Sequence, residues 1–406
     1  MASETKFKET EIGMIPEEWY STTLGSLVTF QRGHDLTFEN KVEGPYPIVS
    51  SSGILGYHNE YKIKGPGVTV GRSGNSLGKA FFVSEDYWPH NTILYAKKFH
   101  NVDPKFSYYL LKNLNLKEYN SGSAVPTLNR NYIHPIPVIV PKKLEEQKAI
   151  SYVLSDLDEK IDLNNQMNKT LEQIAQTLFK RWFIDFEFPD DNGNPYKSSG
   201  GRMVDSELGE IPEGWGVGNI LDYADLLSGG TPKTSISEYW DGGIPWVSAK
   251  DVTSSNGTFI LTTERTITHK GIEKSNAKLL PKLTTVVTAR GTVGNVCILS
   301  KEMAINQTNY GLKSKHDHGD FFLFITLLNL IQDMKQNAYG TVFDTITTKT
   351  FRQIQIILPP MKFIVSFDSI VGDLMHKVMS NLEESQNLSL IRDSLLPKLM
   401  SGKIRV

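Results

Sequence analysis

Between Leu144 and Phe183, apolar residues fall at multiples of seven in two series. One is Leu154, Ile161, Ala175 and Trp182; the other is Ile150, Leu157, Leu171 and Leu178. From Ile364 to Leu399 the pattern returns as Ile364, Val371, Val378 and Leu399, with Phe367, Leu374, Leu388 and Leu395. A seven-residue period lays each pair of series along one stripe of an α-helix, so both stretches are expected to form coiled-coil seams. Polar residues interrupt the stripes at matching places, Asn164 and Asn168 against Asn381 and Ser385, at a shared offset of 217 (164 to 381). Packed antiparallel, the two helices would bring these polar centres together and favour one register over slipped ones.

Each helix follows a segment of mixed pattern. Tyr46–Ser50, Val68–Val70, Ala80–Val83, Thr92–Ala96 and Ile136–Val140 are short apolar or β-branched runs bounded by Gly, Pro, Asn and Ser, the chemistry of strands and turns. Phe106–Leu116 reads as a helix. The second half repeats the arrangement with Trp246-Val247, Thr285–Thr288, Val296–Leu299, a helix over Phe321–Met334, and Ile354–Leu358. The repetition is also literal. Glu11–Trp19 (EIGMIPEEW) returns as Glu207–Trp215 (ELGEIPEGW) at an offset of 196 (11 to 207), and Gly122–Leu128 is echoed by Gly340–Ile346. The expected division is therefore a first head over 1–143, a helix over 144–186, a Pro/Gly/Ser-rich linker over 187–205, a second head over 206–361 and a final helix over 362–406. Two diverged copies of one module predict two related, unequal contacts.

Composition narrows the classes. The 406 residues suffice for two or three cored domains, and 39% hydrophobic with 22% charged is ordinary for a globular chain. A net charge of −2 disfavours a purely electrostatic nucleic-acid coat but leaves room for a sequence reader with locally basic loops. The single Cys297 excludes an internal disulfide framework and a Cys-based zinc site. No signal peptide or membrane span is apparent, so the expected setting is the cytoplasm.

Taken in order, several stretches carry a resemblance. Arg181–Phe186 (RWFIDF) runs through the linker into Ser206–Trp215, followed by Ser228–Lys233 (SGGTPK), Ile244–Val247 (IPWV) and Ala289–Gly294 (ARGTVG), and the chain closes on Leu396–Gly402 (LPKLMSG). The whole chain thereby resembles the DNA-specificity subunit of type I restriction–modification enzymes. The resemblance implies an α+β architecture: two similar mixed α/β target-recognition domains separated by two long antiparallel coiled-coil helices, related by a pseudo-twofold internal repeat. It implies that each head reads one part of a split, asymmetric double-stranded DNA site, and that the helices set the number of unread base pairs between them. It further implies two methyltransferase subunits that methylate adenine N6 from S-adenosylmethionine, and up to two restriction subunits using ATP and Mg2+. Those cofactors belong to partners, with no cofactor, metal or catalysis expected in this chain.

The residues agree with a non-catalytic role. No Asn/Asp-Pro-Pro-aromatic loop for a flipped adenine is present; Asn194-Pro195-Tyr196 is one proline short. Gly71–Lys79 ends like a phosphate loop, yet Ser73 stands where the first Gly should be and Ala80 replaces the magnesium-binding hydroxyl. His316-Asp317-His318 reads as solvated surface rather than a metal site.

Candidate DNA contacts are basic, amide or hydroxyl residues in Gly-rich loops, where backbone can approach a groove. In the first half these are Arg32, His34, Arg72, Asn75, Lys79, Asn129 and Arg130. In the second they are Thr231, Lys233, Lys250, Arg265, Arg290, Thr292 and Lys349. A loop Arg beside Gly also serves as a structural hydrogen-bonder, and both readings stand for Arg72 and Arg290. These two lie in stretches that echo each other, whereas base readers should differ between halves; this moves Arg290 toward scaffold or phosphate contact. Trp19, Trp215, Tyr108, Tyr109 and Phe321-Phe322 are expected in cores. On the helices, Ile150, Leu154, Leu157, Ile161, Leu171, Leu178, Val371, Leu374, Val378, Leu388 and Leu395 form the seam or partner surface. Val153, Met167, Ile174, Phe179, Phe183, Met375, Ile391 and Met400 lie off the seam and are expected to meet a partner helix. Two other classes compete with the specificity subunit: a single-chain methyltransferase or nuclease, and a tandem-duplicated coiled-coil adaptor whose heads read no DNA.

Overall fold

Strand Trp19–Thr23 pairs antiparallel with Pro137–Pro141, bringing the two ends of the first head together, and Gly216–Asn219 pairs with Gln355–Leu358 in the same way. The computed structural model describes residues 6–120, 126–255, 257–337 and 345–406. The expected echo of Gly122–Val125 by 340–344 lies outside the described residues. The chain forms two compact units, Met1–Ile161 with Asn387–Val406, and Asp162–Gln386. Each unit takes its head together with part of both long helices.

In unit 1 an antiparallel sheet runs in the order Val28–Arg32, Ile93–Phe99, Gly67–Gly71, Ala80–Val83. A second sheet has Tyr46–Ser50 at its centre, antiparallel to Gly53–His58 and parallel to Trp88–Pro89. Unit 2 keeps the plan. Its sheet runs Ala224–Ser228, Asn309–Ser314, Thr285–Thr288, Val296–Leu299, extended by Phe259–Ile260. Its second sheet again has a central strand, Trp240–Val247, antiparallel to Arg265–Ile267 and parallel to Met303–Ile305. Both heads begin with a hairpin, Phe7–Thr10 with Gly13–Pro16 and Met203–Ser206 with Gly209–Pro212. Each carries one helix on its sheet, Pro104–Asn113 or Asp320–Asn337. The expected strands and helices are present, with bounds shifted by a few residues. Gly71–Lys79 joins two strands of a hairpin rather than a strand to a helix, so the context a phosphate loop needs is missing.

The stretch expected to be a linker is folded. Phe188 is buried and stacks on Tyr196 (centroids 4.6 Å apart) and Trp215 (4.9 Å), while the Asp190 carboxylate accepts from the backbone N–H of Asn192 and Asn194. Turn-forming composition indicated a bend there; the aromatic anchors make it part of the core.

The long helices span Leu144–Phe179, followed by a π-helical turn over Lys180–Ile184, and Met361–Met400. In unit 1 their segments run antiparallel, with Arg392 on Asp158 (2.5 Å) and Arg405 on Glu146 (2.7 Å). In unit 2 they do so around buried Asn164, Asn168, Asn381 and Ser385. Asn164 Nδ2 donates to Ser385 Oγ (3.2 Å) and Glu384 (2.8 Å), and Asn381 Nδ2 donates to Asn168 Oδ1 (2.9 Å). A slipped register would strand these amides in apolar surroundings, so the polar layer selects the alignment.

Of the expected seam, Ile150, Leu154, Val371 and Val378 are buried, and Leu171, Leu178, Leu374 and Leu395 pack partly buried against the cores. Leu157, Ile161 and Leu388 are half-buried. The off-seam residues need correction. Phe179, Phe183, Met375 and Met400 are buried in this chain's own cores, covered by the heads as well as by the opposite helix. Ile174 and Ile391 are the exposed members of that set.

The two units solve one capping problem with exchanged residues. In unit 1, Asp103 caps its own helix, accepting from Phe106 N–H (2.8 Å), and Ser151 of the long helix reaches it at 3.4 Å. In unit 2 the equivalent positions are Gly319 and Asp368, and the carboxylate has moved onto the long helix. Asp368 accepts from the N–H groups of Gly319 (2.6 Å), Phe321 (3.3 Å) and Phe322 (2.9 Å). Replacing it with Ala leaves three helix-start donors unpaired and is expected to destabilise unit 2 by about 1–3 kcal/mol in urea unfolding. Burial pushes the Asp368 carboxyl up to about 6, against the lowering effect of those three N–H groups. Its protonated form therefore contributes stability below the ordinary Asp range, and that contribution is lost as pH rises through about 6. Asp368→Asn should accordingly gain stability relative to the native chain between pH 4 and pH 7; a difference independent of pH would contradict this.

Candidate nucleic-acid interface

At one end of the four-stranded sheet of unit 1, five of the expected contact residues meet around a cleft of about 550 Å³: Arg32, His34, Arg72, Asn129 and Arg130. Asp35 also lines it. The positions follow from local structure. Arg32 ends its strand opposite Leu94. Gly33 N–H then donates to Ile93 O of the same sheet, and His34 N–H donates to Pro89 O of the second sheet. Arg72 is pinned on both sides of its peptide: its N–H donates to Thr92 O (3.0 Å), and its carbonyl accepts from Leu128 N–H (2.8 Å). Asn129 caps the short helix Arg130–Ile133 by accepting from Asn131 N–H.

Asp35 links the rim. It accepts a hydrogen bond from Asn91 and pairs with Arg32 at 3.3 Å. The Asn91 amide, and then Arg32, hold this exposed carboxyl below the usual Asp range. Burial, with Lys62 nearby, lowers the His34 pKa. Tyr95 OH lies 3.5 Å from His34 Nε2. Donors outnumber acceptors in the cleft, which suits the phosphates and purine edges of DNA.

Unit 2 rebuilds the frame with other side chains. Ser228 ends its strand opposite Tyr310, as Arg32 does opposite Leu94. Gly230 N–H donates to Ile305 O, as His34 does to Pro89. Thr231 bonds Gln307 where Asp35 bonds Asn91. Ala289 N–H donates to Thr308 O (2.8 Å), and its carbonyl accepts from Ile346 N–H (3.0 Å), reproducing both bonds of Arg72. Thr347 caps the helix Thr348–Gln353 as Asn129 caps its own.

This register corrects one reading. Arg72 corresponds to Ala289, so Arg290 stands at the position of Ser73, and the two arginines are not a shared pair. The loop that follows is one residue longer in unit 1: Gly71 and Gly78 bond as Thr288 and Gly294 do. Arg290 therefore has no arginine counterpart in unit 1 and stands as a residue particular to unit 2.

The remaining candidates are scattered. Asn75 and Lys79 are exposed on the hairpin loop, outside the cleft lining. Lys233 is exposed, and its carbonyl accepts from Trp240 Nε1 (3.2 Å). Lys250 is paired with Glu264 (2.7 Å), and Arg265 stacks on the Trp240 ring at 3.5 Å. Thr292 bonds Thr253 (2.7 Å), while Arg290 and Lys349 are exposed. Asp35, Asn91 and Gln307 were missed. Their signal was the offset between the copies, at which Asn91 and Gln307 coincide, 216 residues apart (91 to 307). Among the described residues no group of three His, Cys, Asp or Glu could hold a metal ion, and no helix is long and apolar enough to cross a membrane.

Two regions of the chain, 16–173 and 212–390, match the family described as type I restriction modification DNA specificity domain. The chain belongs to that family. Both matches begin within the repeated opening motif, at Pro16 and Pro212, so each covers one copy of the module. The specificity subunit of the type I restriction enzyme MjaIX from Methanocaldococcus jannaschii is 27% identical over 99% of this chain and 97% of its own. The HindI specificity subunit from Haemophilus influenzae is 27% identical over 82% of this chain and 85% of its own. The crystal structure of a type I restriction–modification S subunit from M. genitalium superposes with a TM-score of 0.64, at 17% identity over 97% of this chain and 98% of that one, which shows the shared fold.

Both specificity-domain copies keep Gly immediately after the first sheet strand, Gly33 and Gly229. A Cβ at either would collide with backbone carbonyls, those of His90 and Pro89 or of Asn306 and Ile305. Gly33→Ala and Gly229→Ala are each expected to destabilise their own unit by about 1–3 kcal/mol, read as a lowered urea midpoint. An unchanged midpoint would show that the strand and the second sheet separate freely there.

Proposed function

We propose that this chain is the DNA-specificity subunit of a type I restriction–modification complex. Each unit presents its cleft end to one half of a split, asymmetric double-stranded DNA site. Two partner methyltransferase subunits then methylate adenine N6 in the two halves, using S-adenosylmethionine that they themselves bind. Restriction subunits, where present, bring ATP, Mg2+ and cleavage. The chain itself supplies choice of sequence and assembly, with no bond-making step of its own.

One observation carries this reading. The same end of the sheet in the two units shares a backbone frame of matching hydrogen bonds, while the side chains differ at nearly every corresponding position. DNA offers the same contrast: a uniform sugar–phosphate frame that positions a protein, and base edges that vary. A repeated frame with varied side chains therefore suits two different half-sites on one duplex.

The test is co-expression with the neighbouring modification subunit and sequencing of methylated bases in the host DNA. The expected outcome is a split, asymmetric motif carrying N6-methyladenine in both halves and absent without this chain. A stable complex that produces no new motif would contradict the specificity role.

A further inference from the structure

The second copy of the module is an internal control for the first. A side chain needed to build the cleft should recur at the equivalent position or be replaced by another that makes the same contacts; one dedicated to a ligand is free to change without such a replacement. Arg72 passes this comparison clearly. Both backbone bonds that hold it recur at Ala289, with no guanidinium present, so the fold does not need the Arg72 side chain. Nor is that side chain occupied. It is half-buried in the cleft wall and makes no side-chain hydrogen bond or ion pair among the described residues. Arg32, by contrast, is engaged with Asp35.

Resting on the specificity reading above, we infer that Arg72 determines base identity in the half-site of unit 1 by donating its two-pronged guanidinium to a guanine. Phosphates are the same in every half-site, so a phosphate-holding arginine would be retained in both copies. A base-reading one has reason to differ. Arginine donates bidentately to guanine O6 and N7, and a backbone pinned on both sides fixes the point from which the side chain reaches. In unit 2 the same position carries Ala289, whose methyl is buried in the core and offers no donor to a base.

The experiment uses the complete complex of this chain with its modification subunit, on duplexes carrying every single-base change in the half-site assigned to unit 1. Arg72→Ala copies what unit 2 already tolerates, so folding is expected to survive. Arg72→Lys keeps the charge and removes the fork. In the native complex one guanine should be preferred about tenfold or more over other bases. In both variants that preference should fall to within about twofold, with the other positions and the second half-site discriminated as before. Uniform weakening on all duplexes, with the salt dependence reduced by about one unit of slope and rescued by Arg72→Lys, would overturn the inference in favour of a phosphate contact. Unchanged binding and discrimination would overturn it in favour of a bystander. If the native complex itself discriminates no half-site, it is the specificity reading that fails.

Discussion

Neither half of this sequence can close its own core. The core of unit 1 takes Ile150 and Leu154 from the first long helix and Leu396, Leu399 and Met400 from the end of the second. The core of unit 2 takes Ala175 and Phe179 from the end of the first and Ile364, Phe367 and Val371 from the start of the second. Burying these side chains, each worth roughly 1.5–3 kcal/mol, requires the helices to run antiparallel in one register. The Asn164–Ser385 and Asn168–Asn381 contacts supply that register, because amides out of step would be left without partners. The heads, the helix caps and the clefts are all built on this closure.

The closure is the same in plan and different in chemistry at the two ends. In unit 1, Trp19 Nε1 donates to Glu146 (3.0 Å), which also receives Arg405 (2.7 Å). At the equivalent place in unit 2, Trp215 meets Phe188 and Phe363, an aromatic cluster with the Lys362 ammonium over the Phe363 ring. The carboxylate exchange between Asp103 and Asp368 is a second instance. Such swaps show how a duplicated module diverges: backbone geometry is held by many bonds at once, whereas any single side-chain solution can be replaced by another that satisfies the same donors. The clefts carry the same divergence to the surface, where it acquires a use.

Much of this was legible in the residues. The heptad stripes and their polar interruptions identified both helices and their pairing, since a helix period and a buried amide leave direct marks on sequence. The repeated opening motif identified the two copies, and Trp19, Trp215, Tyr109 and Phe321-Phe322 are in cores as expected. Other features were hidden because they depend on who lies opposite. Phe179, Phe183, Met375 and Met400 looked like surplus apolar surface, since a helical wheel does not show the head that covers them. The 187–205 stretch looked like a linker because turn residues outnumber its two anchoring aromatics. Arg72 and Arg290 looked like counterparts because both precede similar motifs; only strand register revealed the one-residue difference. The latch residues Asp35, Asn91 and Gln307 carry no local signature.

The most direct test of a shared frame that carries two different readings is to transfer one reading onto the other. In unit 1, Arg32→Ser, His34→Gly, Asp35→Thr, Arg72→Ala, Asn91→Gln, Asn129→Thr and Arg130→Thr together place the corresponding residues of unit 2 on the frame of unit 1. Sequencing the bases methylated by the resulting complex should show the first half of the motif altered toward the second, with the second half untouched. A first half-site that stays as it was would place sequence choice outside these clefts.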